Sequence, residues 1–189
     1  LGPRMIGVHC VWLDDEEIAL MGARGAALSC CPSANMFLGD GITRIPEMLR
    51  AGVRVGLGTD GGCTNNRQSV LEEMRMTSLL QRVRLLDGGA LPAERAFAMG
   101  TRDGAQILGL DAGTIAPGQL ADLVAVDLDD PSLHPRTDLL TSVVYAMSAR
   151  AVTDVWVHGR RVVEDRRLTT VDQAALMARV REVTKGWAL

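Results

Sequence analysis

The sequence predicts an α/β fold: parallel strands joined by helices, then a smaller β-rich part and a C-terminal helix. Three observations predict it. Residues 5–58 run in the order strand, helix, strand, loop, helix, strand, which is the logic of βαβ units with right-handed crossovers. The run Val53–Gly58, VRVGLG, is apolar with glycines at Gly56 and Gly58, which suits a tightly packed parallel strand buried on both faces. The composition then changes at Asp111, and residues 113–127, GTIAPGQLADLVAVD, mix turn signals with short β-type runs.

Met5–Cys10, MIGVHC, is the first strand, with His9 near its end. Asp14 reads as an N-cap with Glu17 in the capping-box position, and Asp15 and Glu16 suit the positive end of a helix dipole. The helix runs to about Arg24, and Gly25 is a good residue to close it. Ala27–Cys31 is the second strand, ended by Pro32. A loop, PSANMFLGDGITR, follows. Pro46 opens a short helix in the favoured first position, Gly52 closes it, and Val53–Gly58 is the third strand.

That strand runs into Thr59 and Asp60, then Gly61 and Gly62, where the backbone turns sharply. An acid at the C-terminal mouth of a parallel strand sits where α/β barrels gather their catalytic groups. The local pattern equally allows Asp60 to cap a turn. Helices are expected at Gln68–Arg84, with Val70, Leu71, Met74 and Ser78 on one side, from Pro92 through Met99, and over Arg102–Leu108. Val152–Val157 and Arg161–Val163 read as two strands joined by a tight turn at His158–Gly159. Val171–Lys185 is a final helix, amphipathic through Leu176, Val180 and Val183.

The 189 residues allow one domain, or one and a small addition. Hydrophobic residues make up 47% and aromatics 3%, so aliphatic side chains must fill the core. A net charge of −3 argues against a nucleic-acid surface. The doublets Arg160–Arg161 and Arg166–Arg167 have Glu164 and Asp165 between them, as in a solvated hairpin. Cys10, Cys30, Cys31 and Cys63 form neither a disulfide framework nor a zinc spacing; reduced thiols in a cytoplasmic protein fit them. No apolar run approaches the ~20 residues of a membrane span, and no signal peptide is visible. The chain begins at Leu1 and enters an apolar strand at once, which reads as a start inside a fold.

Three stretches carry a resemblance to a known family: VHCVWLDDEEI (8–18), CPSANMFLGDGITRIPEMLRAGVRVGLGTDGGCTNN (31–66) and GTIAPGQLADLVAVD (113–127). In this order and spacing the chain resembles the C-terminal part of the amidohydrolase superfamily. The branch is that of chlorohydrolases and nucleobase or nucleoside deaminases, with the methylthioadenosine/S-adenosylhomocysteine and guanine deaminase group most similar. The resemblance implies strands six to eight of a (β/α)8 TIM-type barrel over residues 1–110. Residues 111–189 would be part of a small β-sandwich with a C-terminal helix.

The implied function is that of a fragment of a metal-dependent amidohydrolase that hydrolyses a C–N bond, deaminating an aminopurine or aminopyrimidine ring. Two alternatives stand: a chlorohydrolase or aminohydrolase of triazine-like rings, and a non-catalytic truncated chain. Asp60 matches the family's catalytic and metal-binding Asp after strand eight. His9 matches its catalytic His after strand six; by residue type alone, a His on an apolar strand reads as a core residue. Asn35, in CPSAN, matches a polar position after strand seven and is expected to bind substrate, or else to structure its loop. The implied cofactor is one divalent metal ion, zinc or iron. The implied partners are a small heterocyclic substrate and further copies of the chain, with no nucleic acid and no membrane.

The family's His-x-His pair, its further His and its proton-shuttling Glu have no match here. The chain has three histidines, His9, His134 and His158, and the last two fall in the β-rich part. The expectation is that this chain alone binds no metal tightly and turns nothing over.

Overall fold

The computed structural model describes residues 1–187. Three short strands, β1 (Ile6–Val8), β2 (Ala27–Cys30) and β3 (Arg54–Leu57), form a parallel sheet in that order. Gly7 pairs with Leu28, and Leu28 with Val55. The first crossover is helix α1 (Asp15–Ala23). Its capping box is formed: the Asp14 carboxylate accepts from Glu17 N at 2.9 Å, and Glu17 accepts from Asp14 N at 3.0 Å.

The second crossover differs from expectation. Residues 32–38 are not loop but helix α2 (Pro32–Leu38). Pro32, read as a strand breaker, is also a good first helical residue, and Gly39 at φ 75° closes the helix. Helix α3 (Ile45–Arg50) follows. The aliphatic core lies where α1 and α3 cover one sheet face: Ile18, Met21, Leu28, Ile45, Met48 and Val55 are all buried. Each such side chain contributes roughly 1.5–3 kcal/mol.

After β3 a short turn of helix, α4 (Gly62–Asn65), leads to α5 (Val70–Leu85), capped by Ser69. The buried side of α5 is in part the one expected: Met74 and Ser78 face inward and Leu71 packs beside Met74, while Val70 is exposed and Glu73, Thr77 and Gln81 are buried as well. Helices α6 (Ala93–Gly100) and α7 (Arg102–Ile107) complete this half. Side chains alternate along a strand, so Gly56 faces away from Val55. A Cβ there would come within 2.7 Å of Ile107 and 3.0 Å of Gly104, so only glycine lets α7 lie against that face.

The second sheet is antiparallel, in the order β4 (Leu123–Val126), β5 (Val152–Val157), β6 (Arg160–Glu164) and β7 (Arg167–Leu168). The turn at His158–Gly159 forms, with φ of 50° and 76°, the pattern that suits a two-residue hairpin. Helix α8 (Leu139–Tyr145), for which no periodic signal stood out, packs against α5 and α6 through Val144 and Tyr145. The last helix, α9 (Gln173–Val183), forms as expected, but Leu176, Val180 and Val183 stay exposed. Among the described residues, β1 and β3 each pair on one side only. No helix among them is long and apolar enough to cross a membrane.

Candidate active site

His9 follows β1 directly and Asp60 lies three residues beyond β3. In a parallel sheet both positions fall at the C-terminal end, and β2 lies between them. His9 Nε2 and Asp60 Oδ2 come within 3.7 Å, with the side chains about one-third exposed. Residues far apart in sequence thus share one small space.

The backbone is strained at both positions. His9 and Asp60 have φ of 65° and 61°, in the left-handed region that non-glycine residues rarely enter. A cluster of hydrogen bonds holds them there. His9 N donates to Ser29 O at 3.1 Å. Asp60 Oδ1 accepts from Gly61 N at 2.7 Å, and the Asp60 carbonyl accepts from Gln68 Nε2 at 3.1 Å. One carboxylate oxygen is therefore held by backbone while Oδ2 faces His9. At Gly58 a Cβ would lie 2.8 Å from Ser29 Oγ and 3.1 Å from Cys31 Sγ, so glycine allows the ends of β2 and β3 to approach.

Behind Asp60 stands Glu73, 1% exposed. Its carboxylate accepts from Ser33 N at 3.0 Å and from Asn65 Nδ2 at 2.8 Å, and Asn65 also donates to Thr59 O at 2.7 Å. Glu73 thus ties the start of α2 to the Asp60 loop. Glu73→Ala would leave two donors without a partner, at about 1–3 kcal/mol each. A loss of about 2–4 kcal/mol in urea unfolding is expected. A loss below about 1 kcal/mol would show that water replaces the carboxylate at little cost.

Asn35 is 1% exposed, with Oδ1 2.8 Å from His9 Nδ1 and Nδ2 3.3 Å from Thr43 Oγ1. Both ends of its amide are used inside the protein. Of the two roles expected for Asn35, contact with substrate or support of its loop, these bonds show the supporting contacts to His9 and Thr43. Thr43, Asn65, Glu73 and Gln81 were not foreseen. Asn65 stood in the TNN stretch after Asp60, but a polar residue inside a helical pattern, such as Glu73, carries no signal of burial.

Burial first, and then the Asp60 charge, pushes the Cys31 thiol up to about 11. Burial pushes Cys30 up to about 12. Both stay protonated at neutral pH. His9 and Asp60 are donors of the right chemical type for a divalent ion. Among the described residues, no group of three or more His, Cys, Asp or Glu side chains gathers to hold one. The residues present fit part of a metal site. A surface groove of about 440 Å³ is lined by Arg67, Ser69, Glu72, Arg75, Tyr145 and Ser148; neither His9 nor Asp60 borders it.

A model of the amidohydrolase family matches residues 1–162. The chain is 42% identical over 177 residues to a 5'-deoxyadenosine deaminase of Methanothermobacter thermautotrophicus, covering 94% of this chain and 42% of that protein. It is also 42% identical over 175 residues to a 5-methylthioadenosine/S-adenosylhomocysteine deaminase of Pelotomaculum thermopropionicum, covering 92% and 40%. Among solved structures, an adenosine deaminase from Xanthomonas campestris with bound zinc superposes with a TM-score of 0.93 at 34% identity, over 97% of this chain and 42% of that one. An atrazine chlorohydrolase from Arthrobacter aurescens, complexed with zinc, gives a TM-score of 0.90 at 26% identity, over 96% and 41%. The chain spans about two fifths of the length of these relatives.

Proposed function

We propose, for a chain that belongs to the amidohydrolase family, that it supplies two reacting side chains of a metal-dependent deaminase acting on an aminopurine-type ring. The single observation that carries this reading is the meeting of His9 and Asp60 at the end of a parallel sheet, 3.7 Å apart. On this reading β1, β2 and β3 are strands six to eight of a (β/α)8 barrel. Residues 111–189 are the portion beside it. Further metal ligands come from outside these 189 residues. The one-sided edges of β1 and β3 support this, since an unpaired strand edge calls for a partner.

Asp60, beside His9, would hold the divalent ion. The ion, when bound, supplies Lewis-acid activation of water. Asp60 accepts a proton from the attacking water and passes it toward the leaving nitrogen. The Gly61 N–H on Oδ1 keeps the carboxylate turned to the site. His9 steadies the charge that develops on the attacked ring. The strained backbone at both residues is what the protein tolerates to bring them together. The four free cysteines are in keeping with a cytoplasmic setting.

The adenine-type substrate is favoured over a triazine by the higher identity to the nucleoside deaminases, 42% against 26%. The test is an assay of the protein extended to the length of its relatives. Ammonia release from 5'-deoxyadenosine or methylthioadenosine, without chloride release from atrazine, is the expected outcome. Chloride release with no ammonia from any adenosine would move the assignment to the chlorohydrolase alternative.

A further inference from the structure

We propose that Asn35 and Thr43 set the tautomer of His9, placing its proton on Nδ1 and its lone pair on Nε2, toward Asp60. These are positioning residues, and the inference follows from hydrogen-bond polarity. The His9 carbonyl oxygen can only accept. Thr43 Oγ1 lies 2.7 Å from it and has one proton to give. With that proton spent, Thr43 Oγ1 meets Asn35, 3.3 Å away, as an acceptor. The Asn35 atom facing Thr43 is therefore its NH2, and the atom facing His9 is its carbonyl oxygen. That oxygen, 2.8 Å from His9 Nδ1, requires a proton on Nδ1. A closed ring of three residues thus takes its direction from the backbone of the residue it orients.

The surroundings protect this direction. Asn35 and Thr43 are 1% and 2% exposed, so bulk water does not compete for the relay. Gln81 Nε2 donates to Thr43 O at 2.8 Å, while Arg84 Nε donates to Gln81 Oε1 at 3.1 Å, so the support also has a defined polarity. The relay also holds the His9 carbonyl while the residue sits at φ 65°.

The consequence is chemical. Imidazole offers either ring nitrogen, and the one left without a proton is the one that can accept. Here it is Nε2, 3.7 Å from Asp60 Oδ2. His9 therefore meets whatever lies between them as an acceptor. The use of that lone pair in hydrolysis rests on the proposed function; the tautomer does not.

The test needs no turnover. Long-range proton–nitrogen NMR of the nitrogen-15-labelled chain reads the tautomer of each of its three histidines, with His9 assigned by its loss in His9→Gln. At about pH 8.5, His9 is expected to show protonated Nδ1 and bare Nε2. Thr43→Ser, which keeps the hydroxyl, retains that pattern. Thr43→Val frees the Asn35 amide to turn, and the Nε2–H form is expected to reach about half of the population or more. A wild-type His9 carrying its proton on Nε2 overturns the proposal without any variant. An unchanged Nδ1–H pattern in Thr43→Val overturns the part given to Thr43. Failure of the deaminase assay leaves both readings of this spectrum untouched.

Discussion

In the protein extended to the length of its relatives, Asp60→Asn is expected to lower kcat by about 10²–10⁴-fold, the scale of losing a positioned acid–base group. The substitution is nearly isosteric. The Asn oxygen can still accept from Gly61 N, which now meets Asp60 Oδ1 at 2.7 Å. What it removes is the negative charge and the basicity of the oxygen facing His9. A neutral amide is a poor proton acceptor and a weaker ligand for a divalent ion. Far-UV circular dichroism and the unfolding midpoint should stay close to wild type, which separates lost chemistry from lost fold. A variant that kept its rate with Asn at 60 would remove Asp60 from the reaction.

The 189-residue chain by itself is expected to keep less than about a tenth of an equivalent of zinc after dialysis, and to release no ammonia from adenosine-type substrates, because a catalytic zinc takes about three protein ligands. Here Asp60 supplies one oxygen, and His9 Nε2 stands 3.7 Å from it as a second donor. Among the described residues no third ligand joins them. Cys30 and Cys31 hold their protons, pushed up to about 12 and about 11 chiefly by burial. One equivalent of firmly held metal in the dialysed chain, with turnover lost in Asp60→Asn, would show that a further ligand had been missed. The extended protein should regain both metal and activity.

The elements with a short-range signal were legible. Asp14 with Glu17 announced α1, and the box is formed as read. The glycine-containing run at 53–58 announced β3, and Gly25 and Gly52 marked where helices end. The family was legible from three separated stretches, and the family model matches residues 1–162. Helix α2 was missed because Pro32 serves both to end a strand and to begin a helix, and local sequence does not choose between these. The polar part of the inward face of α5 was missed for another reason, although Met74 and Ser78 are buried as read. Periodicity assumes that buried means apolar, whereas Glu73, Thr77 and Gln81 are buried. Hydrogen bonds to Ser33, Asn65 and Thr43 satisfy Glu73 and Gln81 there.

Strand–helix–strand succession in the sequence points to a parallel sheet, and the positions of His9 and Asp60 just beyond the first and third strands are read directly from it. The sequence also placed Asn35 near them without saying what Asn35 does. The burial of Asn35 against His9 and Thr43, and the hold of Glu73 on the Asp60 loop, came from the tertiary structure alone. The reason is physical. Helix and strand formation depend on neighbours a few residues away, so composition and spacing report them. A buried polar side chain depends on the one partner that satisfies it. Here those partners lie 8 to 40 residues away in sequence.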